Sequence, residues 1–126
     1  MRFMREELYI LGSDNLDMHK RSLTSDILIS DYSGACQDFG VLQRPCLLFA
    51  YDLEEYMKDC SGFVDGWENA LVGPIVRTEQ DLLDAVERNL KAPSFSPTPG
   101  FAETVRYQTG HCCEKVVGFI SGEKKL

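Results

Sequence analysis

Ser33 and Gly34 close the stretch Asp26-Ile27-Leu28-Ile29-Ser30-Asp31-Tyr32-Ser33-Gly34, where a short aliphatic run meets a polar turn and apolar residues at helical spacing begin. Read as strand, turn and helix, this unit sets backbone amides and a helix N-terminus beside the carboxyl end of a strand. An open α/β sheet holds an anion there without a basic side chain, so the ligand it favours is a phosphate. Ser33 can cap the helix and offer a hydroxyl to a diphosphate, and Gly34 lets the backbone approach closely. Asp38 lies one helical turn beyond Gly34, on the same face of the expected helix. Asp31 has a different role, because a carboxylate beside a diphosphate repels it; it is expected to turn back onto backbone amides. Taken singly, a Ser-Gly pair caps a helix and an exposed Asp meets water; only their joint order points to a ligand.

The elements that position these residues follow from the apolar pattern. Ile27 to Ser30 reads as a strand, and Ala35, Phe39 and Leu42, with Cys36 beside them, form the stripe of a helix that must end before Pro45. Cys46 to Tyr51 is almost uninterrupted apolar sequence, which predicts a central parallel strand covered on both faces. Asp52 to Asp59 predicts a short acidic helix, residues 60–73 a long loop, and Ile75-Val76 a third strand. Thr78 caps the next helix, whose expected buried stripe is Leu83, Val86 and Leu90. Before this core, Leu8 to Leu11 reads as a strand; Asp14 or Asn15 then caps a helix with Leu16, His19 and Leu23 on one face. After it, the prolines and glycine of residues 93–111 predict a surface crossing, and a last helix over 112–120 packs Cys113, Val116, Val117 and Ile120 back on the sheet, leaving 121–126 as a solvated tail. Tyr32, Phe39, Phe49 and Tyr51 read as core, although Tyr51, at the end of its strand, is better placed for a ligand than for burial. The whole is one α/β unit, a partial doubly wound parallel sheet, closer to half of such a domain than to a complete one.

Composition narrows the partners. With 126 residues, 44% of them hydrophobic, the chain can bury one core but not two. A formal net charge of −7 and a pI near 4.7 argue against non-specific binding to nucleic acid or anionic lipid. No apolar run approaches the ~20 residues that cross a bilayer, and the first eleven residues do not resemble a signal peptide, so a soluble cytoplasmic protein is expected. Five cysteines, Cys36, Cys46, Cys60, Cys112 and Cys113, form no C-x-x-C pair and read as reduced thiols. His111, Cys112 and Cys113 are adjacent, which points their side chains apart and disfavours a metal site. Neither a metal nor a cofactor is expected.

The stretch Ser25 to Gly34, followed by Asp38-Phe39, Arg44-Pro45, Tyr51-Asp52-Leu53-Glu54-Glu55-Tyr56, Gly62-Phe63, Gly73 to Thr78 and Gly110 to Val117, resembles the CDP-glycerol glycerophosphotransferase family over almost the whole chain. The resemblance implies a Rossmann-like C-terminal half of a two-domain glycosyltransferase B fold. It also implies an activity, transfer of glycerol phosphate from CDP-glycerol to teichoic acid or a related cell-surface polymer. On that reading the chain is the last part of the nucleotide-binding domain, its acceptor domain is missing, and the parent works in the cytoplasm or peripherally at the inner face of the membrane. Ser33, Gly34 and Asp38 fall on the family's phosphate and ribose positions, and Cys113 and Lys115 on a second phosphate-binding helix start. The pattern departs in places: Gly34 stands where the family has a second Ser, Ser61 where it commonly has Arg, and Cys112, Cys113 and Lys115 match a small residue, Ser and Arg. Phosphoryl transfer needs a general base and donors on the leaving group. The family's histidines lie upstream of this sequence, and His19 and His111 do not match them, so no catalytic residue is assigned and the chain alone is expected to be inactive. Two alternatives remain open, a sugar-nucleotide glycosyltransferase fragment and a non-catalytic α/β module that completes a separate subunit. In a sheet of order 3-2-1-4-5-6, Ile27 to Ser30 as strand 4 loses its neighbour. Its edge is then expected to pair with Leu8 to Leu11 or with a second copy of the chain.

Overall fold

A computed structural model of the protein describes residues 17–59, 66–106 and 110–122. Three short strands, β1 (Leu28–Ser30), β2 (Cys46–Phe49) and β3 (Ile75–Val76), form a parallel sheet in the order β1-β2-β3. Leu28 lies opposite Cys46, and Leu48 opposite Ile75. The described residues also form six helices: α1 (Met18–Thr24), α2 (Ala35–Gly40), α3 (Leu53–Asp59), α4 (Glu79–Lys91), α5 (Phe101–Val105) and α6 (Cys112–Ile120), with a 3-10 turn at Trp67–Ala70. The expected partial parallel α/β sheet is therefore present, with β2 at its centre. The strand expected at Leu8 to Leu11 and the caps at Asp14 and Asn15 lie outside the described residues.

Strand alternation divides the core into two layers. Cys46 and Leu48 point to one face, where they meet Cys36 and Phe39 of α2, Val72 and Phe101. Leu47 points to the other and packs with Val76 and with Ala85 of α4. Phe39 is fully enclosed, a burial worth about 1.5–3 kcal/mol. Arg44 ties α1 to the start of β2, its Nη1 donating to the carbonyls of Leu23 (2.9 Å) and Ser25 (2.8 Å). Helix α2 stops where Gln43 takes a left-handed φ of 55°, two residues before Pro45.

Several expected packings differ. The Asp17 carboxylate caps α1 by accepting from the His19 amide, and that bond holds Asp17 below the usual carboxylate range. His19 and Leu23 are exposed rather than buried. In α4 the Thr78 cap forms as expected, accepting from the Asp81 amide at 3.1 Å. The buried stripe, however, is Leu82, Ala85 and Val86, and Leu83 and Leu90 face solvent. The sequence admits both phases, and in the observed one Asn89 lies on the half-buried side. Its amide group donates to the Ala85 carbonyl and accepts from the Ser94 amide, so a polar residue sits satisfied on the inner stripe.

The crossing after α4 is not wholly superficial. Thr98 donates through its backbone and hydroxyl to the Leu71 carbonyl, α5 follows, and Phe101 is buried with its ring edge-on to Phe95 at 5.9 Å. Helix α6 forms over the expected residues, but Val116, Val117 and Ile120 are exposed and only Gly118 is buried. Its apolar stripe meets no face of the described sheet. Tyr51 is 70% exposed, so it does not belong to the core.

Candidate functional site

The turn after β1 opens onto a cavity of about 260 Å³ at the carboxyl end of the strands. Asp31 to Gly34 form one wall, Cys36 and Gln37 of α2 the next, and Leu48 and Ala50 the floor beneath β2. The far wall is Trp67 and Ala70 of the 3-10 turn with Leu71, Val72 and Ile75. Gln37 spans from α2 to that wall, its Nε2 donating to the Ala70 carbonyl at 3.3 Å.

Hydrogen bonding shapes the turn itself. The Asp31 carboxylate accepts from the Ser33 amide at 3.2 Å, the inward bend expected of it. Ser33 Oγ accepts from the Ala35 amide at 3.2 Å, and the carbonyls of Ser33 and Gly34 accept from Cys36 and Gln37 as α2 begins. The Gly34 amide has no acceptor among the described residues. Gly34 has φ −59° and ψ −18°, ordinary helical values, and a Cβ built there would meet nothing within 4 Å. Neither backbone conformation nor packing therefore demands glycine at this position. What its lack of side chain provides is an open approach to an unengaged N–H.

Tyr32 anchors the turn from behind. Its ring stacks on Tyr56 of α3 at 3.9 Å, and its hydroxyl donates to Asp52 Oδ1 at 2.7 Å. Burial, reinforced by the bond to Asp52, pushes the phenol well above the ordinary tyrosine range, so it stays a neutral donor. The cavity is mostly apolar. Among the described residues Asp31 is the one charged residue on its wall, and no Lys, Arg or His lines it. Of the described residues, an anion at this turn would be met by amides and a hydroxyl.

The other sequence-selected residues lie elsewhere. Asp38 is exposed in the first turn of α2 and does not line the cavity, where its neighbour Gln37 does. Cys113 and Lys115 are exposed on α6, whose N-cap His111 pairs with Glu114 at 3.3 Å. Neither of them lines the cavity. Sequence reasoning missed the wall from Trp67 to Val72, which it took as loop. The signal there was Gly66 before the single tryptophan, and Gly66 does adopt a left-handed φ of 79°. No group of three metal-ligating side chains converges among the described residues.

Comparison with known proteins gives one consistent result. The family described as CDP-glycerol:poly(glycerophosphate) glycerophosphotransferase matches residues 2–122. A teichoic acid glycerol-phosphate transferase of Staphylococcus aureus is 42% identical over 76 residues, covering 60% of this chain and 20% of that protein. A teichoic acid poly(glycerol phosphate) polymerase of Bacillus subtilis is 32% identical over 108 residues, 82% of this chain and 14% of that protein. The protein of that name from Bacillus spizizenii is 32% identical over 111 residues, 87% of this chain and 28% of its own length. The chain thus spans between 14% and 28% of the length of these relatives. No solved structure matches it significantly.

Proposed function

Since this chain belongs to the CDP-glycerol:poly(glycerophosphate) glycerophosphotransferase family, we propose that it supplies the diphosphate and ribose part of a CDP-glycerol site used in teichoic acid synthesis. The observation that carries this reading is the turn at Ser33-Gly34, where an unengaged amide and a hydroxyl face a cavity at the carboxyl ends of parallel strands. In it, the Gly34 amide and Ser33 hydroxyl hold a phosphate oxygen, and Asp38 takes the ribose. Cys113 and Lys115 bring the start of α6 to the second phosphate. The glycerol phosphate is passed to the hydroxyl of a polymer acceptor, and the base for that step comes from residues outside this chain. Work of this kind takes place in the cytoplasm, peripherally at the inner face of the membrane. No described helix is long and apolar enough to cross a membrane.

With no cation among the described residues of the cavity wall, CDP-glycerol binding is weak, and the isolated chain does not turn over. Calorimetry with CDP-glycerol and with UDP-sugars in competition tests the nucleotide. Preference for a UDP-sugar would replace this reading by the sugar-nucleotide one. Radiolabelled transfer from CDP-glycerol to a glycerol phosphate acceptor tests the second half, and turnover by the purified chain would contradict it. The edge of β1 favours self-association as well: it pairs only with β2 among the described residues, and Ile29 is half exposed. A strictly monomeric chain in light scattering, with exchange-labile amides in β1 and in 8–11, would exclude it.

A further inference from the structure

On the other face of the sheet from the Ser33 turn, the last turn of α4 and the segment after it line a second cavity, of about 540 Å³. Leu47, Pro74 and Ala85 give it an apolar floor, and Arg88, Lys91, Ser94 and Ser96 supply polar groups. It shares no lining residue with the cavity at the turn. Among the described residues both charges on its wall are positive, in a chain whose formal net charge is −7. The Arg88 guanidinium takes part in no hydrogen bond or ion pair among the described residues. Lys91 Nζ donates to Glu87 at 2.6 Å, which uses one of its three N–H groups and offsets its charge. The Oγ atoms of Ser94 and Ser96 lie 2.9 Å apart; one hydroxyl donates to the other, and the second keeps its proton for an outside acceptor. Asn89 holds that segment in place, tying the Ser94 amide to the Ala85 carbonyl of α4. The helix dipole by itself draws cations to the last turn of α4 and opposes an anion there. It accounts for Arg88 and Lys91, but not for two serine hydroxyls on the wall of the same cavity.

We propose that this cavity is a second binding site, for a phosphate ester or diester, with the Arg88 guanidinium as its principal contact. A guanidinium presents a planar pair of N–H groups that matches two phosphate oxygens, which an ammonium cannot do. Lys91 adds its remaining donors, and the free serine proton meets a further oxygen. The apolar floor accepts the carbon atoms of the ester, so an organic phosphate fits the cavity better than a bare ion. Two sources carry this chemistry, a free phosphate ester and the phosphodiester chain of a polymer acceptor. Only the second rests on the function proposed above; the site itself does not.

The test titrates the intact, folded chain with glycerol phosphate and then with poly(glycerol phosphate), at fixed ionic strength, following amide and arginine side-chain N–H chemical shifts. Saturable changes are expected at Arg88, Lys91, Ser94 and Ser96. Arg88→Gln should weaken glycerol phosphate binding roughly tenfold or more. Lys20→Gln removes the same charge from α1 and should leave binding unchanged. Both side chains are exposed, so both variants should keep the wild-type unfolding midpoint. Tighter binding of the polymer assigns the site to the phosphodiester chain, and equal binding assigns it to a single phosphate ester. Shifts that miss Arg88 and the two serines, or equal weakening by the two variants, which marks a response to net charge alone, overturn the proposal. The nucleotide reading stands or falls on residues 33–38, so failure at one site is distinguishable from failure at the other.

Discussion

Gly34→Val separates a ligand role from a structural one. Gly34 already has helical φ and ψ, and a Cβ there points into open space, so the substitution creates no clash. Its cost to folding is confined to the preference for glycine over valine at a helix N-cap, less than about 1 kcal/mol. Binding is affected differently. The branched side chain occupies the approach to the Gly34 amide, and a hydrogen bond from that amide to a charged phosphate is worth about 1.5–3 kcal/mol. Losing it weakens binding roughly ten- to hundredfold. The assay pairs calorimetric titration of CDP with urea unfolding on the same preparations. The variant should lose most of its affinity while its unfolding midpoint moves little. An equal loss in both, or unchanged affinity, would refute the argument and leave Gly34 as an ordinary helix start.

Gly40→Ala should behave in the opposite way. A Cβ there would run into Val72 and the Phe101 ring, so the change costs about 1–3 kcal/mol in urea unfolding with no specific effect on nucleotide; unchanged stability would contradict the packing. Tyr32→Phe should alter the alkaline limb of stability. The folded-state value of Tyr32 is raised above its unfolded value of 10.0, so its contribution is complete below about pH 10 and is lost as pH rises beyond it. The variant should show a shallower decline above that pH, and parallel wild-type and variant curves would contradict the burial of the Tyr32–Asp52 bond. Arg21→Met should stabilise the chain by about 1–3 kcal/mol, because Nε and Nη2 of Arg21 are buried without a partner among the described residues; destabilisation in the same assay would show that the guanidinium is needed.

The sheet was legible because buried parallel strands announce themselves as short aliphatic runs. Leu28 to Ser30, Cys46 to Phe49 and Ile75-Val76 all lie within the runs that predicted them. Helix caps that use a side chain were legible where a local hydrogen bond decides them, as at Thr78, and missed at Asp17, where Asp14 and Asn15 are equally suitable capping types. Helix phase was harder. In α4, Leu83 and Leu90 are as apolar as Leu82 and Val86, and only the packing of Leu82, Ala85 and Val86 against Leu47 and Val76 shows which stripe faces the sheet. Phe101 was hidden because its burial depends on Thr98 reaching Leu71, a contact across 27 residues. The candidate site divides in the same way. Its near wall, Asp31 to Gly34, is one contiguous turn and could be read directly, whereas Trp67, Ala70 and Val72 reach the cavity only through folding and have no periodicity of their own.

The central claim is that the turn after β1 receives the phosphates of a cytidine nucleotide. Amide chemical-shift mapping during titration of the folded chain with CDP tests it most directly. The account predicts the largest changes at Ser33 and Gly34, extending through Gln37 and Asp38, with smaller ones at the start of α6. Shifts that leave residues 33–38 unmoved and gather on another surface would contradict it.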